Sequence, residues 1–188
     1  IEHWIAQGLK SFVFLLHHQA EKIIEFLEIE KNGLLTDCHV SWLVEPTPMD
    51  TGGAIAYAVQ QLHLDGDFLV TNADTWIGTG IQAVSQSATP SMAVISQNDI
   101  SRYGQVQFSK NFYITSFSEK NSFEGFGWIN AGLCLLNANF FRNWDGQPFS
   151  LEKNIFPALA DSGLLKAVPI QTDFIDIGIP EDYLSFCG

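Results

Sequence analysis

The stretch LVTNADTW, Leu69 to Trp76, climbs through apolar residues, stops on Asn72 and Asp74, and resumes with a second apolar patch. A short apolar run bounded by turn-forming residues reads as a buried strand. A carboxylate closing such a strand costs several kcal/mol if it is buried without a partner. Asp74 therefore predicts water, a cation or another partner at this strand end. What flanks the stretch decides the fold. Upstream, KSFVFLLHH reads as a strand, QAEKIIEFLEIE as an amphipathic helix and HVSWLVE as a second strand. TGGAIAYAVQQL follows as a helix with Thr51 near its start, and DFLVTNAD is the third strand. Strands and helices alternating at this pitch predict βαβ units and a mostly parallel sheet.

Downstream the pattern changes. SMAVIS, GQVQFS, FYITSFSEK and WINAGLCLL are strand candidates with little helix between them, so the region from about Ser91 to Leu136 predicts a mixed-sheet insertion. SLEKNIFPALADSG is a helix with Ser150 placed to cap it. KAVPIQ and DFIDIG are late strands, and PEDYLSF begins a last helix with Pro180 near its first turn. At the other end, Ile1, Trp4, Ile5 and Leu9 recur at helical spacing, with Gly8 as a stop. No repeat, linker or low-complexity stretch interrupts the chain, which predicts one α/β domain over residues 1–188.

The 188 residues are 46% hydrophobic and suffice for a real core. The net charge of −12 argues against binding nucleic acid or an anionic membrane, both of which need basic surface. A small anionic substrate stays compatible, because a metal ion reverses the sign locally. No apolar run approaches the ~20 residues that cross a bilayer. Cys38, Cys134 and Cys187 have neither metal-ligand spacing nor an even count, which makes a reducing cytoplasm the expected compartment. The five histidines do not cluster like a zinc site or a triad.

In open α/β sheets, ligands sit outside the carboxyl ends of the strands. Asp74 falls there, and Asp176 in FIDIGIPEDY closes a second short apolar strand. Two carboxylates sharing a crevice repel unless a proton or a cation joins them, and such oxygen ligands suit Mg²⁺ beside phosphate oxygens. The plainer reading of each, a turn residue or helix cap, competes with this. TGGA, Thr51 to Ala54, opens a helix where glycines let a ligand approach the backbone, although Gly pairs are often only turns. SEK, Ser118 to Lys120, places an anion beside a cation at a strand end, either a phosphate and hydroxyl contact or a solvated end. INAG, Ile129 to Gly132, puts an Asn inside an apolar strand, where its amide needs partners. The pair Tyr103–Gly104 is equally open.

Taken in order, EPTPMDTGGA, FLVTNADTW, SRYGQVQF, ITSFSEK, GWINAGLCLL, SLEKNIFPAL and FIDIGIPEDY resemble the sugar-1-phosphate nucleotidylyltransferases. Within that family the wording is most similar to D-glycero-D-manno-heptose 1-phosphate guanylyltransferases, with N-acetylmuramate 1-phosphate uridylyltransferases next. The resemblance implies a Rossmann-like three-layer fold and the conversion of an NTP and a sugar 1-phosphate to an NDP-sugar and pyrophosphate. It implies that Asp74 and Asp176 hold Mg²⁺ and that Lys120 steadies the sugar phosphate. It places Glu119, Asn130 and Gly104 against the sugar, Glu45 near the base, and Thr51, Gly52 and Gly53 along the nucleotide pocket. Cell-surface polysaccharide synthesis in the cytoplasm is the implied setting.

The departures are three. The family's Gly-Asp is Ala73–Asp74 here, and its Leu-Gly before TGG is Met49–Asp50. The family also opens with a strand and a G-x-G-T-R-L loop that hold the triphosphate, and these 188 residues contain neither. The domain is therefore expected to be N-terminally incomplete and to lack the first strand. Two readings follow, an active transferase or a relative that binds sugar phosphate or nucleotide without turnover. Base, sugar and oligomeric state are not specified by the sequence.

Overall fold

The computed structural model describes residues 1–118, 125–178 and 180–187, with only the backbone at 181 and 185. The chain divides into two compact units, Ile1–Leu64 with Phe141–Ser150, and Asp65–Phe140 with Leu151–Gly188.

The first unit holds α1 (Glu2–Ala6), β1 (Ser11–Leu16), α2 (Ala20–Glu30), β2 (His39–Val44) and α3 (Asp50–Gln61). Gly8 stops α1 as expected, with φ +95°, a conformation that costs glycine nothing. β1 and β2 pair in parallel from Ser11↔His39 to Leu16↔Val44, with α2 as the crossover. This is the βαβ unit that the alternating pattern predicts. Leu27 of α2 and Leu35 beyond it are fully enclosed, as are Ala56 and Ala58 of α3.

The second unit holds β3 (Asp67–Thr71), β4 (Thr75–Ile77), α4 (Ile81–Ser85), β5 (Ser91–Gln97), β6 (Gln105–Phe108), β7 (Ile114–Ser118) and β8 (Gly127–Asn137). A 3₁₀ turn at Ala138–Phe141 leads out of it. A π-helical turn at Leu151–Ile155 then runs into α5 (Phe156–Asp161), β9 (Lys166–Pro169), β10 (Phe174–Asp176) and α6 (Pro180–Cys187). The main sheet is ordered β7-β6-β8-β5-β9, with β3 also on β8. Met92, Val94, Ile129, Leu136 and Leu165 are completely buried and form its core. Each such side chain stabilises the fold by roughly 1.5–3 kcal/mol relative to exposure.

The sheet is both parallel and mixed, and one strand makes it so. β5 pairs β9 in parallel. β3 and β5 run the same way, but each is hydrogen-bonded to β8, which lies between them antiparallel to both. WINAGLCLL, Trp128 to Leu136, reads as a strand because its residues are mostly apolar, and it forms all but the two end residues of β8. β4 and α4 were not legible, since three and five residues are too few to show a period. The helix at SLEKNIFPALADSG does form, but Ser150 precedes a π-helical turn rather than the α-helix, which begins at Phe156.

β3 differs from its sequence reading in one respect. Phe68, Leu69 and Val70 are half-buried, and Asp74 stands in an exposed turn beyond the strand end. The desolvation that makes an unpartnered carboxylate costly is therefore largely avoided.

Candidate functional site

One edge of β8 carries β5. The other is shared by two strands in succession: β6 pairs with Trp128 and Ile129, and β3 pairs with Leu133 to Asn137. Asn130, Ala131 and Gly132 lie between the two ladders. Across from them β8 bulges against β5, because Met92 pairs with Cys134 but Val94 already pairs with Asn130. A bulge of this kind bends a strand and re-aims its side chains. At the bulge Gly132 has φ +72°, and a Cβ there would lie 3.2 Å from both Asn72 Nδ2 and Thr75 Oγ1. The Gly132 carbonyl accepts from the Asn72 N–H at 3.0 Å, so the turn carrying Asp74 is tied to the interruption in the ladder.

Asn130 is half-buried. Its Oδ1 accepts from the Gly132 N–H at 3.0 Å, which orients the amide and leaves the Nδ2 donors to offer a ligand along with the second Oδ1 lone pair. Its own N–H donates to the Gly104 carbonyl at 2.9 Å. Asn130 and Gly104, both assigned to the sugar by resemblance, are thus neighbours in space.

Asp74 and Asp176 are also brought together. β10 pairs antiparallel with β4 through Asp176↔Thr75, and the ladder continues as the Ile177 N–H donates to the Asp74 carbonyl at 2.8 Å. The Gly178 N–H donates to Asp176 Oδ1 at 3.0 Å. A Cβ on Gly178 would sit 2.9 Å from Asp176 Oδ1 and 3.4 Å from Asp74 Oδ2. A single methyl-sized point therefore touches both carboxylates, and glycine keeps it clear. Mg²⁺ is bound by one or two carboxylates with water and phosphate oxygens, and this pair fits that demand. No group of three or more His, Cys, Asp or Glu side chains stands ready for a metal among the described residues.

Three consecutive residues wall the site. Arg102 pairs with Asp182 of α6 at 2.8 Å, and this contact raises the guanidinium above its ordinary range. The Tyr103 ring meets Phe174 of β10 edge-on at 5.6 Å, and burial pushes its phenol up. Gly104 is the acceptor for Asn130, and a Cβ there would come within 3.2 Å of the Phe117 ring. Arg102, Asp182 and Thr75 carry no role in the sequence reading, and Asn72 figures there only as a strand end. Arg102 lies in SRYGQVQF and Asp182 in FIDIGIPEDY, but only tertiary structure pairs them. Glu119 and Lys120 lie outside the described residues.

Glu45, Thr51, Gly52 and Gly53 belong to the first unit. Glu45 follows β2, and its Oε2 accepts from the Met49 N–H at 2.9 Å, closing the EPTPM loop. Thr51 is exposed, and its N–H donates to Asp50 Oδ1 at 2.9 Å. Gly52 and Gly53 both donate to the Phe149 carbonyl, at 2.9 and 3.1 Å. A Cβ on Gly52 would fall 2.2 Å from the Phe149 ring. Phe149 thus requires glycine at 52, a Cβ on Gly53 would meet the Met49 Cβ at 3.0 Å, and both N–H groups are already taken by the Phe149 carbonyl.

Residues 1–187 match the family described as nucleotidyl transferase. The chain is 30% identical over 189 residues to D-glycero-alpha-D-manno-heptose 1-phosphate guanylyltransferase of Campylobacter jejuni, covering 98% of this chain and 81% of that protein. It is 26% identical to the mannose-1-phosphate guanylyltransferase catalytic subunit beta of Drosophila pseudoobscura, of which it spans 51%. The crystal structure of HddC from Yersinia pseudotuberculosis superposes with a TM-score of 0.85 at 30% identity, covering 99% of this chain and 81% of that one. The same protein complexed with GMP-PN gives 0.83 at 28% identity.

Proposed function

We propose, from the premise that this chain belongs to the nucleotidyl transferase family, that it joins an NTP to a sugar 1-phosphate, releasing pyrophosphate. The observation that carries the reading is the facing of Asp74 and Asp176 across the Gly178 gap, within a family match that spans both units. The two units would work as one nucleotidyltransferase domain.

In this reading an oxygen of the sugar phosphate attacks the α-phosphorus of the NTP. A new P–O bond forms, the bond between α- and β-phosphates breaks, and pyrophosphate leaves. The nucleophile is already an anion, so no strong base is needed; the chain contributes alignment and charge balance. Asp74 and Asp176 would hold Mg²⁺, which supplies a Lewis-acid centre and neutralises phosphate charge. The Asn130 Nδ2 and the Gly104 backbone would position the sugar. On resemblance, Lys120 would hold the sugar phosphate and Glu119 a hydroxyl, while Glu45 and the Thr51–Gly53 segment would lie along the nucleotide. Guanylyltransferases recur among the relatives, which favours GTP and a manno-configured heptose 1-phosphate. Cell-surface polysaccharide synthesis in the cytoplasm is the setting that follows. No helix among the described residues is long and apolar enough to cross a membrane.

The test is pyrophosphate release with GTP, UTP, dTTP and CTP against heptose and mannose 1-phosphates. Turnover that needs both substrates and Mg²⁺ is expected, and Asp74→Asn should abolish it while leaving the fold intact. Tight binding of either substrate with no pyrophosphate from any pair would favour the binding-only relative. Retained turnover in Asp74→Asn would sink the metal assignment.

A further inference from the structure

We infer that Arg102 is a positioning residue, which through its ion pair with Asp182 sets Asp176 in place and couples the metal side of the site to the sugar side. The inference rests on the proposed transfer reaction for its substrates, but not for its geometry.

Residues 99–104 form a turn beside the site. Asp99 Oδ1 accepts from the Ser101 N–H at 3.0 Å and the Tyr103 N–H donates to the Ile100 carbonyl at 3.2 Å, so the turn is internally braced. From it three successive residues reach three different elements. Arg102 grips Asp182 in the first turn of α6 at 2.8 Å. Tyr103 packs edge-on against Phe174, two residues before Asp176 on β10. Gly104 accepts the Asn130 N–H from β8. Asp176 is therefore bracketed along the chain, by Phe174 before it and Asp182 after it, and both brackets are held by adjacent residues of one turn. The negative charges of Asp176 and Asp182 both favour the charged form of Arg102. The β4–β10 ladder still holds the Asp176 backbone at Thr75 and Asp74, so losing either bracket is felt as a small shift in the placement of the Asp176 carboxylate, while Asp74 keeps its own tie to Gly132 through Asn72.

An ion pair this exposed, with side chains 40% and 33% accessible, stabilises a fold little. Its effect is expected in placement rather than in global stability. Arg102→Gln and Asp182→Asn are each compared with the wild type, and so is the charge-exchanged double variant Arg102→Asp/Asp182→Arg. The readouts are Mn²⁺ affinity by paramagnetic resonance, the KM and kcat for GTP with mannose 1-phosphate or heptose 1-phosphate, and the thermal midpoint. Each single variant is expected to weaken Mn²⁺ binding and raise the KM for sugar 1-phosphate together, by on the order of three- to ten-fold. The thermal midpoint should stay within about 3 °C. The exchanged pair should recover at least half of the loss on a logarithmic scale.

Wild-type Mn²⁺ affinity retained by both single variants would overturn the inference. So would an exchanged pair no better than the worse single variant while still folded. If no substrate pair turns over, the transfer reading fails by itself. The Mn²⁺ series and its rescue still decide whether Arg102 places Asp176.

Discussion

Replacing Gly178 with Ala should damage the site while sparing the fold. Gly178 is exposed and its φ lies outside the left-handed region, so alanine brings no backbone strain. The whole effect comes from the added methyl, 2.9 Å from Asp176 Oδ1 and 3.4 Å from Asp74 Oδ2. Carbon-to-oxygen contacts settle near 3.3 Å or beyond, so Asp176 must retreat by about 0.4 Å. Misplacing a reacting group by a full ångström costs roughly a hundredfold. Scaled logarithmically, the retreat predicts a fall of about six-fold in kcat/KM, or ~1 kcal/mol. Because the displaced group is a carboxylate of the proposed metal pair, the Mg²⁺ concentration for half-maximal rate should rise by a similar factor. Stability should change by no more than ~0.5 kcal/mol, about 2 °C in the thermal midpoint. The assay is pyrophosphate release under Mg²⁺ titration, with a thermal melt alongside. A variant with the wild-type Mg²⁺ dependence and wild-type kcat/KM would refute the reasoning, because the space between the carboxylates would then have no use.

Other substitutions separate backbone from chemistry. Gly132→Ala meets both a left-handed φ of +72° and contacts of 3.2 Å to Asn72 and Thr75, so it should lose roughly 1–3 kcal/mol in urea unfolding. An unchanged urea midpoint would count against the bulge geometry. Gly52→Ala drives a methyl into the Phe149 ring and should cost about 1–3 kcal/mol or more. Combining it with Phe149→Ala should make the two changes less costly than their sum, and simple additivity would deny the contact. Burial pushes the Cys134 thiol up to about 12, so at pH 8 it is protonated as well as enclosed. Ellman's reagent should label exposed Cys187 in the native protein and reach Cys134 only after unfolding; native labelling of Cys134, read by peptide mass, would contradict its burial.

The parts legible in the sequence are those whose signal is local. The β1–α2–β2 unit shows its period, and Asp74 and Asp176 stand out because a carboxylate ends an apolar run in each case. Their meeting was inferred from the ligand rule for open sheets, and the β4–β10 ladder supplies it physically. What escaped reading is non-local or very short. Gly178 carries no conformational mark and matters only for the space it leaves between two side chains from distant segments. Arg102 finds Asp182 some eighty residues later, a pairing that no spacing rule encodes. The TGG signal had a correct form and an unforeseen partner: the sequence motif calls for glycine, but a phenylalanine far along the chain fills the space and takes both N–H groups.

The sharing of one β8 edge between two strands has a consequence for divergence. The β6–β7 hairpin is fastened to the amino-terminal end of β8, and β3, which leads into the Asp74 turn, to its carboxyl-terminal end. Lengthening or reshaping the hairpin alters the wall beside Gly104 without moving the register of β3. On the proposed reading, the sugar wall and the phosphate chemistry hang from separate ends of a common strand, so one can be reshaped while the other is inherited intact.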